Sequence, residues 1–537
     1  MYNPPFTPTK EQADIIERSK FDGSFAVQAF AGSGKTTTAE QIARATPQKK
    51  WVYIAFNKRA IEDSRDRMPP NVVLKTAHSC AFGPVGSKYK DNLVTDYKLK
   101  QSLMGIIRKR YFDKTGSEKG MAAFSHIVID AIRNFCSSAD QQVEWFHFDS
   151  DKELDIDLVI ATARECWDAM VDSLGGVGMT HDGYLKIWQI RGGRIPSKYI
   201  MFDEAQDASP PMLDVVLRTD ADKIFIGDPW QSIYGWRGAI DTFDAIGHLQ
   251  KFPLTQSWRF GQDLADIGNS ILSRMGETNR LIGMGETTVY RDERLQDVDM
   301  VISRTTGGLV AEAAQIAQSG KRIHIVGGTS QILDWLQETY QMRRVGKSHH
   351  RDFQEFDSYA DLLEVAETST GRPYRPYVRM VESYRSSLPD IIQDIRCAHV
   401  ESPTDADTVL TTGHRGKGAE AGSVRVANDV GGFVTLERNG IEMKEEDNFD
   451  IQTMKPTDLV KVDKAEANLL YVILTRAKRQ LDMSSVHYLD TNLEMIDIAR
   501  QIGAQMEIIT PESNTKRALR QLQERGMLSA PTTPIKI

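Results

Sequence analysis

The sequence predicts an α/β fold of two parallel-sheet domains, each carrying a mainly helical insertion. Three observations lead there. Short runs rich in Val, Ile, Phe and Tyr recur and alternate with helical segments, the pattern of buried parallel strands with crossover helices. Two long stretches of helical spacing, roughly 83–190 and 331–404, fall inside the two groups of strands. The chain of 537 residues also exceeds the ~250–300 that one hydrophobic core organises.

In the first group, Ser24–Phe30, Trp51–Phe56, Val72–Lys75, Tyr199–Asp203 and Lys223–Ile226 read as strands, with a helix over Lys35–Ala45. The stretch between them places apolar residues at helical spacing, at Leu103, Met104, Ile106, Ile107 and Tyr111, then at Ile127, Ile129 and Ile132. The second group holds Val298–Ser303, Arg322–Val326, Ser423–Val426 and Gln480–Ser485. The expected domains are therefore 1–82 with 191–262, interrupted by the insertion 83–190, and 263–330 with 405–510, interrupted by 331–404. Residues 511–537 read as a loose C-terminal tail ending in Pro- and Thr-rich sequence.

Hydrophobic residues at 40% and charged residues at 26% are ordinary for globular chains and exclude wholesale disorder. The apolar run Leu469–Leu474 is far too short to span a bilayer. The first residues, Met1 to Phe6, lack the basic and apolar segments of a signal peptide. Cys80, Cys136, Cys166 and Cys397 have neither zinc-knuckle nor disulfide-framework spacing. The expectation is a soluble cytoplasmic protein, bacterial or phage-encoded and acting in the host cytoplasm, without a membrane partner. A net charge of −8 argues against a generally basic surface, so nucleic acid would need a local basic or aromatic groove.

The strongest local pattern is Ala29-Phe30-Ala31-Gly32-Ser33-Gly34-Lys35-Thr36, between a strand and a helix. Small residues let backbone N–H groups wrap phosphates, and the helix N-terminus adds positive potential. Lys35 reaches the β- and γ-phosphates in such a loop, and the Thr36 hydroxyl holds Mg²⁺. Gly32, Ser33, Gly34 and Thr37 complete the candidate nucleotide contacts, while Ala29 stands where the strict pattern has glycine.

Asp203-Glu204-Ala205-Gln206-Asp207 follows the apolar strand Tyr199–Phe202. Carboxylates at a strand's C-terminal end face the ligand crevice of an open α/β sheet. Asp203 is the candidate Mg²⁺ ligand through water, and Glu204 the group that orients or deprotonates the attacking water. Together with the loop, this pair predicts hydrolysis of a nucleoside triphosphate.

The segment Gly227-Asp228-Pro229-Trp230-Gln231-Ser232-Ile233-Tyr234-Gly235-Trp236-Arg237-Gly238-Ala239 resembles motif III of the UvrD/Rep-type superfamily 1A helicases. Further segments agree in order: the Gln12 region, Ala55–Ala60, Thr76–Ser79, Gln256–Arg259, Thr412–Glu420 and Tyr471–Lys478. The ordered set frames residues 12 to 478 and is far more specific than any one member. Thr180–Trp188 also looks like the branch containing the helicase core of F-box DNA helicases.

The resemblance implies two RecA-like domains sandwiching ATP and Mg²⁺. Gln12 is similar to the glutamine that reads the adenine edge, and Trp258 to the aromatic residue stacked on the base. Arg259 and Arg476 match the two arginines that reach the γ-phosphate, with Arg476 expected inside an apolar helix. Gln231 resembles the γ-phosphate sensor, and Glu420 the ribose contact, although Ala419 and Ala421 replace leucine and an aromatic beside it. Phe56, Tyr234 and Trp236, with His78 and Arg237, match positions that hold single-stranded DNA. Stacking there contributes ~1–3 kcal/mol per base without sequence preference.

The expected activity is an ATP-dependent DNA helicase moving 3′→5′ on single strands, acting as a monomer on single-stranded DNA and single-strand/duplex junctions. Three alternatives stay open: a translocase that strips bound proteins and unwinds little, an RNA helicase, and an ATP-gated single-strand binding module without useful turnover. Basic–aromatic clusters at Arg108–Tyr111, Arg343–Arg351 and Arg372–Tyr377 are candidate extensions of the nucleic-acid track. About sixty residues after the last motif leave no room for an appended nuclease domain. No motif singles out replication, repair or recombination.

Overall fold

The computed structural model describes residues 7–510 except 56, 118–119, 149–154, 236–241, 351, 355, 357, 368–370, 372 and 444–449, and except the side chains of 96, 97 and 122. The tail 511–537 and the site candidates Phe56, Trp236 and Arg237 therefore lie outside the described residues, as do Arg351 and Arg372 of the basic clusters.

The first sheet contains β1 (Phe25–Ala29), β2 (Trp51–Ala55), β3 (Val72–Thr76), β4 (Tyr199–Phe202), β5 (Asp222–Gly227) and β6 (Lys251–Leu254). Their order is β3-β2-β4-β5-β1-β6, and every pair is parallel. The apolar runs predicted five of these strands. The sixth escaped because Pro253 argues against a strand; it is tolerated because β6 lies at the sheet edge, where a missing N–H breaks no ladder. Helix α1 (Lys10–Ser19) starts in a capping box formed by Thr9 and Gln12. Helix α2 (Lys35–Ala45) follows β1 directly and buries Thr38, Ala39, Ile42 and Ala43 on the sheet.

The chain continues with β7 (Gln256–Ser257), β8 (Ile282–Gly283), β9 (Thr288–Tyr290), β10 (Met300–Ser303), β11 (Ile323–Ile325), β12 (Thr408–Thr412) and β13 (Ala421–Val426). Then come β14 (Val434–Arg438), β15 (Ile441–Met443), β16 (Leu459–Asp463), β17 (Ala477–Asp482) and β18 (Gln505–Ile509). A second six-stranded sheet has the order β11-β12-β10-β13-β17-β9, again all parallel. The predicted two-sheet α/β class with helical stretches is what the structure has. Between β3 and β4 the described elements are helical, and between β11 and β12 likewise.

Three expectations need correcting. The strand placed at 480–485 spans Ala477–Asp482 instead. Arg476 lies outside its helix, which ends at Leu474 with Thr475 as its cap. The segment 426–510 adds a separate four-stranded sheet, β15-β14-β16-β18, that was not foreseen. Its strands are short and mix charged with apolar residues, so hydrophobic runs did not reveal them. No described helix is long and apolar enough to cross a membrane.

Because β4, β5 and β1 are neighbours and point the same way, their C-terminal ends gather three segments: the loop after β1, Asp203-Glu204 after β4 and Asp228 after β5. This is the crevice of an open parallel sheet.

Candidate active site

The loop after β1 is shaped by two glycines with positive φ, Gly32 at 73° and Gly34 at 83°. A Cβ on Gly32 would come within 2.6 Å of the Ser257 hydroxyl and 2.7 Å of Arg259 Cβ, so only glycine fits beneath that roof. Trp258 N–H donates to the Gly32 carbonyl at 3.0 Å, tying the roof to the loop. Ser33 folds its hydroxyl back onto the Phe30 carbonyl at 2.7 Å. Gly34 caps α2 without a side-chain bond, which leaves the first helical N–H groups facing the loop. That arrangement attracts a phosphate.

Next to the loop lies a dense acidic cluster. Lys35 Nζ bonds Glu204 Oε1 at 2.8 Å. Burial works against the Lys35 charge, but Glu204, Asp203 and Asp228 outweigh it and raise its pKa. Glu204 sits in the left-handed region at φ 49°, one of three non-glycine residues with positive φ among those described. This backbone strain is held in place by the carboxylate's bonds to Lys35 and to Gln206 Nε2, the latter at 2.5 Å. Burial alone would push the Glu204 carboxyl up; the charges of Lys35 and Lys417 overcome it and hold the group low. Asp203 goes the other way, raised by burial and by the neighbouring Glu204 charge. Burial also pushes Asp207 and Asp228 up to about 6.

Gln206 organises the cluster. It is fully buried; its Nε2 reaches Glu204 and, at 3.3 Å, Asp207, while its Oε1 accepts the Asp228 N–H at 3.1 Å. Asp228 in turn accepts Gln231 Nε2 at 2.7 Å and the Trp230 N–H at 3.1 Å.

The second sheet's segments close over these groups. Arg476 is 2% exposed and spreads its guanidinium over the Val472 carbonyl at 2.8 Å, Thr475 Oγ1 at 3.1 Å and Gln231 Oε1 at 3.3 Å. Burial and the nearby Arg259 lower its pKa to about 9, so it stays charged at neutral pH. Arg259 bonds Glu420 at 2.9 Å and the Thr475 carbonyl at 3.0 Å. Lys417, from the turn between β12 and β13, donates to Asp207 and to the Gln231 carbonyl across the cleft. Tyr471 accepts the Ala31 N–H at 3.2 Å and donates to Asp228 at 3.4 Å.

Lys35, Glu204, Asp203, Gln231 and Arg476 thus converge, with Arg259 and Glu420 paired beside them. Gln12 is buried, with its Nε2 3.3 Å from Thr38 Oγ1 on α2. Thr36 lies close enough to the Tyr53 phenol to lower its pKa. Thr37 points elsewhere, accepting from Arg67 at 2.8 Å. Trp258 is 58% exposed, an open ring at the mouth of the loop. Of the nucleic-acid candidates, Tyr234 donates to the His414 carbonyl at 2.9 Å and lies under Lys417 Nζ at 5.2 Å. His78 is farther along, bonded to Asp182 at 2.9 Å beside the rings of His181 and Tyr184.

Sequence reasoning quoted Gln206, Asp207, Asp228 and Lys417 within motifs but gave them no role, and it read Tyr53 only as core. Their shared signal was polarity beside an apolar strand or in a glycine-rich turn. The donor set suits a divalent cation: Thr36, Asp203 and Asp228 offer hard oxygen ligands, and burial raises both carboxyls, so their charged forms lack the solvation a cation would replace.

The family model of the UvrD/REP helicase N-terminal domain matches residues 193–248, the segment holding Asp203, Glu204, Asp228 and Gln231. F-box DNA helicase 1 of Gallus gallus is 31% identical over 509 residues, covering 89% of this chain and 49% of that protein. F-box DNA helicase protein 1 of Schizosaccharomyces pombe is 26% identical over 527 residues, covering 89% of this chain and 58% of that protein. The chain spans about half the length of the curated relatives it matches. The resemblance read from the motifs is therefore borne out: residues 193–248 match the UvrD/REP helicase N-terminal domain, and most of the chain is similar in sequence to F-box DNA helicases.

Proposed function

We propose that the chain is an ATP-dependent DNA helicase that hydrolyses ATP between its two parallel sheets and moves 3′→5′ along single-stranded DNA. The observation that carries this is the link from Arg476 and Lys417 on one side of the cleft to Gln231, Asp207 and the Lys35–Glu204 pair on the other. The names of both relatives include DNA helicase, which supports DNA as the substrate.

The loop N–H groups and Lys35 bind the phosphates, while Trp258 stacks on the base and Gln12 meets its edge. Thr36 and Asp203 would hold Mg²⁺, which neutralises charge on the phosphates. Engaging a phosphate draws Lys35 away from Glu204; without that charge the carboxylate becomes a stronger base and accepts a proton from the attacking water. Arg476 and Arg259 stabilise the charge that develops on the transferred group. These contacts require the closed cleft, so ATP favours closure and hydrolysis releases it. Tyr234, three residues beyond Gln231, passes that change to a stacked base.

Unwinding of duplexes carrying either a 3′ or a 5′ single-stranded tail tests the proposal. ATP-dependent separation of the 3′-tailed substrate alone is the expected result. Preference for the 5′ tail contradicts the polarity, and separation of neither, with displacement of a bound protein, favours the translocase.

A further inference from the structure

Tyr53 has no part in the mechanism above, yet it is built into the cation site. It occupies the middle of β2, its ring 1% exposed and packed in the core with Ile15, Val27, Ala39 and Met201. β2 pairs with β4 so that Tyr53 lies opposite Met201 and the Asp203 N–H donates to the Ile54 carbonyl at 2.9 Å. The ring thus runs between the sheet and α2, and its hydroxyl donates to Asp203 Oδ2. Thr36, in the first turn of α2, lies close enough to the same phenol to lower its pKa. Asp203 Oδ1 accepts the Glu204 N–H at 2.9 Å. Each carboxylate oxygen of Asp203 therefore has one fixed donor, and the Tyr53 phenol lies near the other candidate Mg²⁺ ligand, Thr36.

Phenylalanine would fill the same apolar pocket. What tyrosine adds is a rigid donor at fixed reach, since its oxygen has no freedom once the ring is packed. We propose that Tyr53 is a positioning residue for the divalent cation, its hydroxyl setting the orientation in which Asp203, together with Thr36, receives Mg²⁺ beside the phosphates. The inference rests on the ATP–Mg²⁺ reading given above. Partners that orient a metal ligand from outside the coordination sphere are typically worth ~10–100-fold in metal affinity.

The test is Tyr53→Phe in the full chain, titrated with Mn²⁺ as a paramagnetic stand-in for Mg²⁺ in the presence of a non-hydrolysable ATP analogue. A fluorescent nucleotide titrated in EDTA serves as the control, since that binding needs the loop but no cation. The expected result is Mn²⁺ binding weakened about tenfold or more, with nucleotide binding in EDTA unchanged. Equal Mn²⁺ affinity in the variant and the wild type overturns the role of Tyr53. So does a matching loss of nucleotide binding in EDTA, because the hydroxyl would then be supporting the loop. If wild type shows no effect of Mn²⁺ on nucleotide binding, the ATP–Mg²⁺ reading fails first, and the role of Tyr53 falls with it.

Discussion

Replacing Lys417 with Met tests how the two sheets are held together over the acidic cluster. In the structure the ammonium is the charge partner of Asp207, whose side chain is fully buried and whose second oxygen, Oδ1, has no partner. Removing one member of a buried pair usually costs ~3–5 kcal/mol, but here proton uptake limits the loss. The Asp207 pKa already stands at about 6 instead of 3.8, a penalty of about 3 kcal/mol at neutral pH. Complete neutralisation at pH 7 costs about 4.4 kcal/mol. The substitution therefore adds about 1.4 kcal/mol through Asp207 and about 1 kcal/mol for the lost bond to the Gln231 carbonyl. The expected loss near neutral pH is about 2–3 kcal/mol.

The sign of the pH dependence follows from the direction of the shift. A carboxyl with a raised folded pKa contributes stability that is fully present below its unfolded value and lost as pH rises through its folded value. Lys417→Met raises the folded value further, so its extra cost develops above pH 6 or so and shrinks toward pH 5. Urea unfolding followed by tryptophan fluorescence at pH 5.5 and 7.5 measures both. Asp207→Asn in the Lys417→Met background should recover most of the loss at the higher pH. A loss that is the same at both pH values, or absent at pH 7.5, refutes the reasoning.

Other substitutions separate the candidate roles. Arg476→Lys keeps a charge but loses the planar fork that spans four acceptors, so ATP turnover should fall ~10³-fold or more while equilibrium nucleotide binding changes little; a comparable loss of binding would make the residue structural. Trp258→Ala should raise the KM for ATP about tenfold through lost stacking with kcat nearly constant, and an unchanged KM would remove the ring from the base site. Tyr234→Ala should weaken single-stranded DNA binding by ~1–3 kcal/mol to the same extent on different sequences, as fluorescence anisotropy reads it.

The sequence exposed the parts of the fold whose signals are local. β1, β4 and β5 were visible as apolar runs, and the loop after β1 as a pattern of small residues with one lysine. The order of strands within each sheet was not visible, because pairing across the chain leaves no mark on any one segment. The mixed sheet β15-β14-β16-β18 was missed for a related reason: short strands with charged residues look like loops. Arg476 meets Gln231 in the cluster but does not lie on the helix expected for it, since the apolar run before it continues to Leu474 and gives no sign of where the helix stops. The partners that hold the cluster, Gln206, Asp207, Lys417 and Tyr53, are legible only in three dimensions, where Gln206 is seen to join Glu204 to Asp228. Tyr53 in particular reads from sequence as one more aromatic in a buried strand; its hydroxyl gains meaning only through the neighbouring strand's Asp203.

The central claim is that the clustered carboxylates and arginines hydrolyse ATP in response to nucleic acid. Steady-state ATP hydrolysis by the wild type and Glu204→Gln, each with and without single-stranded DNA, tests it most directly. The account predicts strong stimulation of the wild type by DNA and no turnover by the variant under either condition. Equal turnover with and without DNA, or full activity in Glu204→Gln, would contradict it.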